Sequence, residues 1–142
     1  MLFRSLLRLA HAERVLLIEA TLLLGAISLG LRLVPFGRLR RLLDHLSRPR
    51  HGLHRQGRLS AARIAWAVER MGPVVPGARS CLVQALAAQV LLARRGCHSS
   101  VRIGVARPSG ESLHAHAWVE SEGRGLLGTP HPGQYTPLPT LE

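Results

Sequence analysis

The sequence has few of the residues on which several classes of protein depend. Its 142 residues include no lysine, no asparagine, one aspartate (Asp44) and two cysteines. Two cysteines exclude a scaffold built on disulfides and are typical of a reducing cytoplasm, where we expect this chain to reside. The shortage of Asp and Asn also limits catalysis, because many hydrolytic sites use one of them to orient a histidine. After residue 44, that task would fall to Glu, Gln, a hydroxyl or a backbone carbonyl.

Aromatic residues are also scarce, and this bears on the partner of a strongly basic chain. The net charge is +11, and all 19 basic residues are arginines. Such a charge predicts an acidic partner. Two Trp, one Tyr and two Phe make a base-stacking platform for nucleic acid improbable, and no zinc-finger or basic-zipper spacing is present. We therefore expect an acidic peptide or protein partner and no nucleic acid.

The length predicts a single domain over residues 1–142, with three parts. These are a hydrophobic helical part (1–46), a linker (47–58) and a core (59–142). The apolar run from Val15 to Leu31 predicts a helix of about 26 Å, shorter than a hydrocarbon core of about 30 Å, and Glu19 interrupts it. We interpret this run as a helix that is buried or packed on a partner. Contact with a membrane surface is the alternative.

The second half of the sequence carries the candidate chemistry, which begins with a cysteine at a helix start. Helical spacing runs from Ser80 to Arg95 and ends at Gly96, a typical C-terminal stop. Cys81 falls in the first turn, where exposed N–H groups and the positive end of the helix dipole stabilise a thiolate. Cys97 lies about 24 Å away along a continuous helix, which excludes an intrachain disulfide.

Beyond this helix the hydrophobic period changes to two, which predicts an antiparallel meander. The predicted strands cover residues 101–106, 113–120 and 124–128. Four side chains share one face of the second strand: His114, His116, Trp118 and Glu120. A thiol at a helix start facing an imidazole on a sheet suits nucleophilic cysteine catalysis, and either histidine could supply the imidazole. The spacing is not that of a zinc cluster, so we expect no metal and no other cofactor.

Three stretches in this order carry a resemblance to a known family: SCLVQALAAQVLLARRG (80–96), IGV (103–105) and AHAWVE (115–120). Together they resemble the transglutaminase-like leader peptidases of lasso peptide biosynthesis, in their stand-alone form. The specific part of the match covers roughly residues 79–128. The resemblance implies an α+β fold. In that fold, N-terminal helices precede a papain/transglutaminase-like core with a cysteine-bearing helix and a small antiparallel sheet.

The resemblance also implies an activity, site residues and partners. The activity is that of a cysteine peptidase, a hydrolase that removes the leader from a ribosomally synthesised precursor peptide. By position, Cys81 would be the nucleophile and His116 its base, and we assign Trp118 and Gln84 to the substrate cleft. The implied partners are the precursor peptide, a separate leader-recognition protein and an ATP-dependent lasso cyclase.

The sequence departs from this family at the third catalytic residue. The family has an aspartate on the strand after the histidine. Here His116 would lie opposite Gly128 or Thr129, depending on the turn. We expect a carbonyl, Thr129 or a group from elsewhere to orient the imidazole, and we count Glu120 and His114 as accessory candidates.

Two further hypotheses stay open, and the missing aspartate is the reason for the first. The first is a catalytically impaired scaffold of the same fold, which docks the leader-recognition protein and the cyclase. The second is acyl transfer by the same cysteine–histidine pair to an amine rather than to water.

Overall fold

The computed structural model describes residues 11–48, 61–107, 112–121, 123–128 and 135–138. The helices there are α1 (His11–Leu33), α2 (Phe36–Leu46), α3 (Ala61–Met71) and α4 (Cys81–Arg94). The strands are β1 (Ser100–Ala106), β2 (His114–Ser121), β3 (Arg124–Leu127) and β4 (Thr136–Pro137). The expected α+β class is confirmed. Most of the predicted linker lies outside the described residues.

Helix α1 contains the apolar run and packs one face into the domain. It ends just before Pro35, whose ring cannot continue a helix. Its buried side chains include Leu16, Leu24 and Ile27, which belong to the hydrophobic core shared with α3, α4 and β2. By length and composition alone α1 could cross a membrane. That is weak evidence for a membrane protein, because the core helix of a soluble domain passes the same test.

The two carboxylates of α1 are matched by arginines from other helices. Arg95, next to the end of α4, lies 3.3 Å from Glu19, and its own side chain is 8% exposed. Arg63 of α3 contacts Glu13 at 2.5 Å. A charge inside an apolar helix is costly unless it is paired, so the contact with Arg95 explains how Glu19 is accommodated.

Helix α4 lies at the centre of the core and ends where the sequence predicts. Its stop is a Schellman motif at Gly96, which has φ +76°. The N–H of Gly96 donates to the carbonyl of Ala93, and that of Cys97 donates to the carbonyl of Leu92. Glycine suits this position because an L side chain strains the left-handed conformation.

The four strands form one antiparallel sheet in the order β3-β2-β1-β4. Ala117 and Val119 of β2 belong to the helical core, so alternation puts His116 and Trp118 on the opposite face. Trp118 is nevertheless only 4% exposed. The sheet therefore has a second covered surface, away from the helices, and the candidate histidine lies there.

Candidate active site

Cys81 is the first residue of α4, as the sequence predicts. Ser80 precedes it in an extended conformation and makes no side-chain cap hydrogen bond. The first N–H groups of any helix lack intrahelical partners and carry the positive end of the dipole. The partly exposed thiol of Cys81 therefore lies where negative charge on sulfur is favoured.

The packing of α4 on β2 brings this thiol to the strand that carries the histidine. The N–H of Ala117, the residue after His116, donates to Sγ of Cys81 across 3.4 Å. Strand β3 pairs with β2 no further than Val119 and Leu127. Among the described residues the N–H of Ala117 has no strand partner on that side, and the sulfur accepts from it.

The His116 imidazole is held by a backbone carbonyl. Its Nε2 lies 2.5 Å from the carbonyl oxygen of Gly128. Since a carbonyl only accepts, Nε2 must carry the hydrogen, and Nδ1 of the neutral ring is then the unprotonated nitrogen. The contact selects the tautomer in which Nδ1 can take a proton from another group.

The backbone around Gly128 explains how its carbonyl reaches the ring. Ser121 opposes Arg124, but a bulge then shifts the register so that Val119 opposes Leu127. The register that pairs Val119 with Leu127 does not put Gly128 opposite His116, so the contact is not the cross-strand pairing that the sequence predicts. Gly128 has φ +66°, which ends β3 and redirects the chain. Thr129, the other expected partner, lies outside the described residues.

Two aromatic rings stack with the imidazole. The Trp118 ring lies 6.1 Å from that of His116 between centroids, and the Tyr135 ring lies 5.3 Å away. The indole N–H of Trp118 donates to Oε1 of Glu120 across 2.9 Å. Glu120 thus contacts the tryptophan beside His116. Tyr135 was missed by the sequence reasoning, because it lies in a Pro- and Gly-rich segment without periodicity.

The structure places the remaining candidates at the edges of this group. His114 is exposed at the start of β2, opposite Ala106. The side-chain amide of Gln84 donates to the carbonyl of Ala78 across 3.0 Å, on the segment that leads into α4. The assignment of Gln84 to the substrate cleft stays a prediction. Within the described residues, no three His, Cys, Asp or Glu side chains are grouped as a metal site requires.

Comparison with known proteins gives one match. A family model described as the transglutaminase-like superfamily matches residues 23–140. This range covers most of the chain and includes both Cys81 and His116. No curated protein and no solved structure matches the chain.

Proposed function

Because this chain belongs to the transglutaminase-like superfamily, we propose that it is a cysteine peptidase. Its proposed task is to remove the leader peptide from a ribosomally synthesised lasso peptide precursor. The observation that carries the proposal is the contact between Sγ of Cys81, at a helix start, and the N–H that follows His116. The sequence resemblance supplies the substrate class.

The proposed mechanism uses the Cys81 thiol as nucleophile and the His116 imidazole as base. Nδ1 of His116 takes the thiol proton of Cys81, and the sulfur attacks the scissile carbonyl to form a tetrahedral intermediate. The N–H groups at the start of α4 stabilise its oxyanion. His116 returns the proton to the leaving amine as the C–N bond breaks. Water, activated by the same imidazole, then hydrolyses the thioester and releases the leader.

In this proposal the carbonyl of Gly128 orients the imidazole, which is the role of the aspartate that this chain lacks. It accepts from Nε2 and keeps Nδ1 available as the base. A neutral carbonyl stabilises the imidazolium less than a carboxylate would, so we expect a slower enzyme than one with a complete triad. The contact favours a working cysteine–histidine pair over the scaffold hypothesis, since a scaffold has no need of a selected tautomer.

Incubation with the precursor peptide, followed by mass spectrometry, tests the proposal. Hydrolysis yields two fragments whose masses sum to the precursor plus one water. Transfer to an added amine instead yields one fragment that carries the amine, which would move the activity to acyl transfer. An intact precursor, in the presence of the leader-recognition protein, would leave the scaffold hypothesis as the better account.

The glycine at residue 128 gives a prediction about imidazole orientation. Gly128→Val is expected to lower kcat about tenfold or more, because a β-branched residue rarely adopts a positive φ and the carbonyl would move. Gly128→Asn is the matched control, since Asn tolerates this conformation, and it should retain most of the rate. Steady-state cleavage measures both, and equal losses in the two variants would argue against the carbonyl.

The partners follow from the resemblance and remain proposals: the precursor peptide, a leader-recognition protein and an ATP-dependent cyclase. An exposed apolar surface on α1 supports a proposal for one of them. Four exposed aliphatic side chains form a stripe along α1: Ile18, Leu22, Leu29 and Leu33. The stripe borders an apolar groove of about 320 Å³, lined by Arg14, Leu17, Ile18, Thr21, Leu22 and Met71. Exposed apolar side chains beside an apolar groove are typical of a surface that another protein covers.

We propose that the leader-recognition protein docks on this groove, and one exposed leucine tests it. Leu22→Asp should weaken the complex at least tenfold, because it buries a carboxylate against an apolar surface. Leu42→Asp, on the exposed side of α2, is the control; these leucines are 68% and 55% exposed. Titration calorimetry with the purified partner measures the affinity. If Leu22→Asp binds the partner as tightly as the wild type, the partner docks on another surface. If Leu22→Asp still binds the partner but no longer binds vesicles of anionic lipid, the stripe is a membrane-contact surface instead.

A further inference from the structure

The covered surface beside His116 depends on a glycine in the neighbouring strand. Gly104 of β1 opposes His116 of β2. A Cβ atom at Gly104 would lie 2.8 Å from two ring carbons of Trp118 and 2.8 Å from Cβ of Tyr135. Both distances are shorter than real contacts allow. Only a residue without a side chain lets the two aromatic residues approach the sheet here.

Each of the two aromatic residues is also anchored by a separate contact. The indole N–H of Trp118 is tied to Glu120. Tyr135 immediately precedes β4, whose Thr136 and Pro137 pair with Val105 and Gly104. The N–H of Leu138 then donates to the carbonyl of Ile103 across 2.7 Å. The rings are therefore held from two directions, and their stacking on the imidazole does not depend on the histidine itself.

We propose that Tyr135 is a positioning residue for His116, acting with Trp118 on the surface that Gly104 leaves open. One hydrogen bond from Nε2 to a carbonyl fixes one atom of the ring, whereas stacked neighbours restrict rotation of its plane. Together they fix the plane of the ring with Nε2 at the Gly128 carbonyl. In this chain, ring stacking thus does part of the work that a carboxylate does elsewhere. The inference rests on the proposed cysteine–histidine chemistry.

Two substitutions at Tyr135 separate the ring from its hydroxyl. Tyr135→Leu should slow alkylation of Cys81 by iodoacetamide about tenfold, and lower kcat similarly with little change in KM, because a loosely held base is seldom aligned. Tyr135→Phe keeps the ring and should restore most of both rates. Equal slowing in the two variants would overturn the role of the ring, as would no slowing in either. Phe36→Leu is the control, because it removes a partly exposed aromatic ring on α2 that lies outside the proposed site.

A second variant and a spectroscopic readout keep the test decisive if Tyr135→Leu is unstable. Gly104→Ala should displace both rings. The double variant Gly104→Ala/Tyr135→Leu should be no slower than the slower of the two single variants, because both substitutions disrupt the same stacking on His116. Stacked rings also shift the His116 Cε1–H proton resonance upfield by ring current. That resonance, assigned with His116→Gln, should move downfield in Tyr135→Leu but not in Tyr135→Phe. A resonance that stays in place in Tyr135→Leu would overturn the inference.

The two readouts distinguish failure of this inference from failure of the proposed function. Neither alkylation of the thiol nor the histidine resonance requires a precursor peptide. If both respond as expected while the precursor stays intact, the positioning holds and the peptidase assignment fails. If the precursor is cleaved but Tyr135→Leu matches the wild type in all three measurements, the peptidase stands and the positioning role fails.

Discussion

Replacing Cys81 with alanine is expected to abolish precursor cleavage, with a loss in kcat of about 10⁴-fold or more, because no other group supplies the covalent bond. Folding should change little. Alanine favours a helix, and among the described residues the change removes a weak hydrogen bond from the Ala117 N–H to sulfur. Mass spectrometry of the products gives the rate, and thermal unfolding gives the stability.

The second cysteine provides a matched control for the first. Cys97 lies beyond the other end of α4, and the contact it makes in the Schellman motif comes from its backbone N–H. Cys97→Ala should therefore keep a rate within about twofold of the wild type. Iodoacetamide should inactivate the wild type and Cys97→Ala alike. Retained cleavage by Cys81→Ala would disprove the nucleophile assignment.

The second large effect is expected at the base. His116→Ala should lower kcat by about 10³-fold, within the range that a positioned general base contributes. It should also slow alkylation of Cys81, because no imidazole is left to take the thiol proton. Steady-state cleavage and alkylation kinetics measure the two effects on the same preparation.

A variant of the neighbouring histidine tests which of the two is the general base, a choice that sequence periodicity left open. His114 shares the face of His116 but is exposed at the start of β2. His114→Ala should stay within about twofold of the wild type. A large loss in His114→Ala with a small loss in His116→Ala would reverse the assignment. If the wild type itself does not cleave, and neither histidine variant disturbs complex formation, the scaffold hypothesis is favoured.

Local patterns in the sequence were enough for the elements that carry the site. Helical spacing followed by Gly96 predicted the end of α4, because a single glycine signals the left-handed residue that ends a helix. Period-two alternation predicted β1 and β2 and the shared face of His116 and Trp118. The scarcity of Asp and Asn predicted that something other than those side chains would orient the imidazole. The structure provides the Gly128 carbonyl there, and its role in catalysis stays a prediction.

The interactions that join these elements could not be deduced from spacing. The bulge in β3 shifts the register by one residue, and a turn position alone does not reveal it. The pairing of Glu19 with Arg95 joins residues far apart in the chain, whereas in the sequence Glu19 only interrupts an apolar run. Both depend on which elements pack together, which is a property of the whole fold.

The sequence by itself determined the cysteine at a helix start, the histidines on a strand and the lack of an aspartate after them. These are local facts, since each depends on residue identity and short-range periodicity. Only the tertiary structure decided what contacts the imidazole: the carbonyl of Gly128, and the rings of Trp118 and Tyr135 over Gly104. Every residue carries a carbonyl, and stacking needs only proximity. Neither contact therefore has a sequence signature until the chain is folded.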